Sequence, residues 1–115
     1  LVDQLQQQTD VTAHNKYMNN LEYHRSVLLM NRAPFIETPS VLLIESTDLL
    51  SPIGVLHYQW VSNANEAQAW IAEHREQIQC MVNIGESPVS FGEAQHPGLT
   101  EYADEIDTLH FLLSL

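Results

Sequence analysis

Two short apolar runs set off by prolines constrain this chain more than any other feature. Pro34 and Pro39 precede Val41-Leu42-Leu43-Ile44, and Pro52 introduces the stretch from Ile53 to Val61. Proline has no amide proton and crowds the turn before it, so a helix does not run through either boundary. An unbroken apolar run from Val41 to Ile44 suits a strand buried on both faces. The second stretch alternates, with Leu56, Tyr58 and Trp60 on one side and Val55, His57 and Gln59 on the other, as an extended segment requires.

Helical patterning flanks this extended pair. From about His14 to Arg32, Tyr17, Leu21 and Leu28 recur at a period of about 3.6 residues, with Met18 and Leu29 beside them. Asn63-Ala-Asn-Glu66 has the form of a capping box, which predicts a helix with Ala67, Trp70, Ile71 and His74 on one face. Ile78-Gln-Cys-Met-Val82 reads as a further strand with Cys80 on its apolar side. The final segment is ambiguous. Leu109, Phe111, Leu113 and Leu115 alternate like a strand, whereas Ile106, Leu109 and Leu113 suit a helix. Residues 1–12, rich in glutamine, read either as a ragged first helix or as a severed end. The order helix, strand, strand, helix, strand predicts an α/β class: a mixed three-layer type of domain with a short sheet flanked by helices.

With 115 residues there is room for one modest core, and 44% apolar against 17% charged residues argues for a folded chain. The net charge of −11 opposes nucleic acid and anionic lipid surfaces, because both need cations. No apolar run is long enough to span a bilayer, and no secretory signal opens the chain. With Cys80 as the only cysteine, an intrachain disulfide is impossible, and a reducing, cytoplasmic setting is expected.

Candidate chemistry is sparse. Cys80 would need a base to act as a nucleophile, and inside an apolar run its commoner role is that of a small buried hydrophobe. The six histidines, His14, His24, His57, His74, His96 and His110, include no i, i+4 pair of the kind that fixes zinc. Glu73-His74 and Asp107–His110 come nearest, the second only on a helix. Glu101, Asp104, Glu105 and Asp107 form a carboxylate-rich run that could raise a pKa, although a solvated acidic face is the usual outcome. Phe91-Gly92 and Pro97-Gly98 mark two chain reversals.

Taken together, several segments resemble the C-terminal part of the aldehyde dehydrogenase superfamily, in particular its acyl-CoA reductase branch, which includes the reductase of bacterial bioluminescence fatty-acid reductase complexes. Asn15 to Asn31 is similar to a segment of those reductases. Leu50-Ser-Pro-Ile-Gly-Val-Leu-His-Tyr58 resembles the family stretch that follows a cofactor-contacting acidic residue, and Asn65 to Ile71 the helix after it. Val89-Ser-Phe-Gly92 resembles the family's Pro-Phe-Gly turn, and Tyr102 to Leu109 its closing segment. Leu50 and Ser51 stand where phenylalanine and glycine are usual, and Asp48 stands near the place of a ribose-contacting glutamate.

This resemblance implies that residues 1–115 are a single domain or the C-terminal fragment of a reductase catalytic domain within a larger aldehyde-dehydrogenase-like fold. The whole enzyme would use NADPH to reduce a cysteine-bound acyl group, delivered by acyl-CoA, to a fatty aldehyde. The family's catalytic cysteine lies upstream of every matched segment, so the chain would not catalyse alone. Asp48, Phe91 and Gly92 are the positions implied to touch the cofactor site, and the remaining reductase polypeptide and a homo-oligomer are the implied partners. The competing expectation is a stand-alone acidic α/β interaction module, which an exposed apolar patch around Leu109 to Leu115 would favour. A small hydrolase using a His/Asp pair is a weaker third reading, since no nucleophile motif accompanies it.

Overall fold

The computed structural model describes residues 1–82, 89–96, 98 and 107–115. The chain forms two compact units, Leu1–Trp60 and Val61–Leu115. Together they contain helices and a three-stranded mixed sheet, so the chain is a small mixed α/β protein.

In the first unit, helix α1 (Val2–Gln7) and a 3₁₀ turn (Asp10–Ala13) precede the long helix α2 (Asn15–Met30). His14 caps α2, its Nδ1 accepting the Tyr17 N–H at 3.2 Å. At the other end, Arg32 N–H donates to Leu29 O and Ala33 N–H to Leu28 O, the paired bonds of a Schellman motif. That motif places Arg32 at φ 53°, a conformation glycine adopts more cheaply. Pro34 follows immediately, and the helix stops as the proline signal predicts.

Strands β1 (Ile36–Glu37), β2 (Leu42–Glu45) and β3 (Val55–Tyr58) form the sheet in that order. β1 runs antiparallel to β2 with Ile36 opposite Leu43, and β2 runs parallel to β3 with Leu42 opposite Val55. Pro39 lies in the β1–β2 turn, where Thr38 Oγ1 both accepts the Val41 N–H and donates to Val41 O. The buried Thr38 hydroxyl is therefore satisfied within its own turn. Two residues carry no periodicity, so β1 leaves no signal in the sequence.

The predicted burial of β2 on both faces is realised, since the adjacent Leu42 and Leu43 are both buried. Leu42 joins Leu21 and Val55 in the core, flanked by Tyr17, Met18, Leu28, Phe35 and Ile44. Of the residues expected on this face of α2, Leu29 in the last turn is exposed instead. β3 is shorter than the Ile53 to Val61 stretch, and its alternation points Val55 inward and leaves Leu56 exposed.

The second unit begins with helix α3 (Ala64–Glu73). Asn63 Oδ1 accepts the Glu66 N–H at 2.9 Å, as the capping pattern predicts. Glu66 Oε2 reaches one residue further back than a capping box would, accepting the Ser62 N–H at 2.8 Å. Ala67, Trp70, Ile71 and His74 form its partly buried side, in agreement with the helical periodicity. A 3₁₀ turn (Arg75–Gln77) follows.

The strand expected over Ile78 to Val82 does not form. Ile78 ends the 3₁₀ turn, and only Val82 pairs, in an isolated parallel bridge with Val89. An apolar run becomes a strand only where a neighbouring segment supplies a ladder, and one bridge is too little. The ambiguous end resolves as helix α4 (Thr108–Leu113).

Candidate functional site

A groove of about 420 Å³ lies in the first unit. Leu5, Val11, Tyr17, Val41, Val55 and Leu56 give it an apolar lining, with Gln8, Ser40 and Gly54 completing it. The hydroxyls of Tyr17 and Ser40 are engaged internally. Tyr17 Oη donates to Ser40 O at 2.6 Å, and Ser40 Oγ donates to Leu5 O at 3.3 Å. These bonds tie α1 and α2 to the β1–β2 turn and leave an apolar wall, suited to shape contact rather than proton transfer.

Gly54 fixes the floor of this groove. It adopts φ +82°, and a Cβ built on it would stand 3.0 Å from Leu21 Cδ1 and 3.2 Å from Leu21 Cα. Only glycine allows α2 to approach the start of β3 this closely in that conformation. The sequence marks Gly54 only by the preceding Pro52, and nothing in that pattern reveals the helix above it.

Asp48 lies exposed in the β2–β3 connection of the first unit. Its N–H donates to Ser46 Oγ at 3.1 Å, and His57 Nδ1 lies 2.9 Å from its carbonyl oxygen. Phe91 and Gly92 belong to the second unit, in a turn where Glu93 N–H donates to Ser90 O and His96 N–H to Glu93 O. Phe91 is 77% exposed, and Gly92 takes φ +89° with open space around its missing Cβ. The chain reversal expected at Phe91-Gly92 is present. Gly98 of the second reversal is described, whereas Pro97 lies outside the described residues.

These three residues do not fit a phosphorylated dinucleotide by themselves. A carboxylate such as Asp48 accepts hydrogen bonds from ribose hydroxyls but repels the 2′-phosphate that distinguishes NADPH. Ser46 and His57, the groups bonded around it, bring no fixed positive charge. The exposed Phe91 ring and the open Gly92 backbone bring no positive charge for a pyrophosphate.

Cys80 is exposed, so the expected role of a buried hydrophobe is corrected. The reason is the missing strand: without a ladder to place it, Cys80 has no apolar layer to enter. Glu101, Asp104 and Glu105 of the acidic run lie outside the described residues, and Asp107 accepts the backbone N–H of His110 at 2.8 Å as the cap of α4. The Asp107–His110 spacing therefore serves helix initiation. His74 stacks on Trp70 with ring centroids 4.4 Å apart, its Nδ1 2.9 Å from Trp70 O. His14 is spent on capping α2. Among the described residues no group of histidine, cysteine and carboxylate side chains is arranged to hold a metal ion.

Arg25 lies between two carboxylates. Its Nε lies 2.8 Å from Glu37 Oε1, and its Nη1 lies 3.4 Å from Glu22 Oε2. The field of Glu37, reinforced by Glu22, holds the guanidinium above its ordinary pKa. The Nε contact is close but poorly aligned for a hydrogen bond, so it acts mainly through charge. It links α2 to β1 and makes no catalytic constellation.

Comparison with protein families, curated proteins and solved structures finds no match to this chain. Among the described residues, no helix is long and apolar enough to cross a membrane.

Proposed function

We propose that this chain is a non-catalytic, C-terminal part of a larger NADPH-dependent acyl-CoA reductase. The reading rests on the ordered resemblance of its segments to that family. Helix α4 exposes Leu109, Phe111, Leu112 and Leu113, and Leu115 beyond it is 88% exposed. Four of its six residues are apolar, a proportion that suits a covered helix. Such a surface suits a part of a larger fold that its remainder covers.

In the whole enzyme, a cysteine elsewhere takes the acyl group from acyl-CoA as a thioester and releases CoA. When bound there, NADPH would supply the hydride that releases the aldehyde and frees the thiol. This chain contributes walls and contacts, including oligomer contacts. Cofactor binding falls to the remaining polypeptide.

The exposed helix also favours a second reading, a stand-alone acidic module that binds a protein partner. Assaying the product of the intact gene for acyl-CoA-dependent NADPH oxidation and aldehyde release separates the two. The reductase reading expects both signals, largely retained in Cys80→Ser and reduced in Gly92→Val. An intact product that folds and gives neither signal overturns it.

A further inference from the structure

We draw no further inference here: the strongest candidate, the apolar groove of the first unit between Leu5, Tyr17, Val41 and Leu56, carries nothing further because nothing in the structure shows what occupies it.

Discussion

Leu42-Leu43 in β2 and Leu112-Leu113 in α4 are the same dipeptide in opposite circumstances. The first pair is buried, with Leu42 at 0% exposure, whereas the second pair is open to solvent, with Leu113 at 79%. In the first unit a strand, a parallel neighbour and a long helix converge on one small core. In the second, none of the described side chains is fully buried. Apolar residues stabilise a fold only when other elements remove them from water, so identical residues have very different weights in the two units.

The largest expected break in this contrast is Leu42→Ala. Removing a fully buried leucine should cost about 2–5 kcal/mol, read as a fall in the urea midpoint and as lost amide protection across β2 and β3. Protection retained at the level of the unsubstituted chain would show that this core does not hold the unit together.

The two positive-φ glycines extend the comparison. Gly54→Ala should cost about 2–4 kcal/mol, because left-handed strain adds to overpacking against Leu21. Gly92→Ala, with open space around it, should cost only about 1–2 kcal/mol from strain alone. Equal losses in thermal unfolding would remove the close approach of α2 as the reason for the difference.

Smaller effects follow from single bonds. Tyr17→Phe deletes the donor to Ser40 O and should cost about 1 kcal/mol in chemical denaturation. Arg32→Gly should raise stability by up to about 1 kcal/mol by relieving the left-handed residue at the end of α2. A loss there would mean that the Arg32 side chain contributes more than its backbone costs.

The smallest effect sharpens the functional proposal. Phe111→Ser should change the stability of this chain by no more than about 0.5 kcal/mol, since the ring is already exposed. In an intact reductase that covers α4, the same substitution should cost several-fold more stability and lower activity. Identical small effects in both settings would argue that α4 remains uncovered.

Much of the first unit was legible from residue pattern. The prolines and the Leu21 periodicity located α2, and the unbroken and alternating apolar runs located β2 and β3. Asn63 announced α3 through local hydrogen bonding, which needs no distant partner. The site was far less legible. Tyr17, Ser40 and Gly54 meet across long stretches of sequence, and no local signal links them. Around Cys80 apolar composition suggests a strand, but a strand needs a ladder and only the Val82–Val89 bridge forms there.

By itself, then, the sequence determined what short-range physics controls: helix starts and stops, strand alternation, the acidic charge, and a final segment poised between two periodicities. The Asp107 cap settled that last choice within a single turn of chain. Tertiary structure alone decided which apolar residues leave water. It paired β1 with β2, set β3 parallel to β2, required glycine beneath Leu21, buried one leucine pair and left the other exposed. Burial depends on which distant segments arrive at the same place, and no residue specifies that alone.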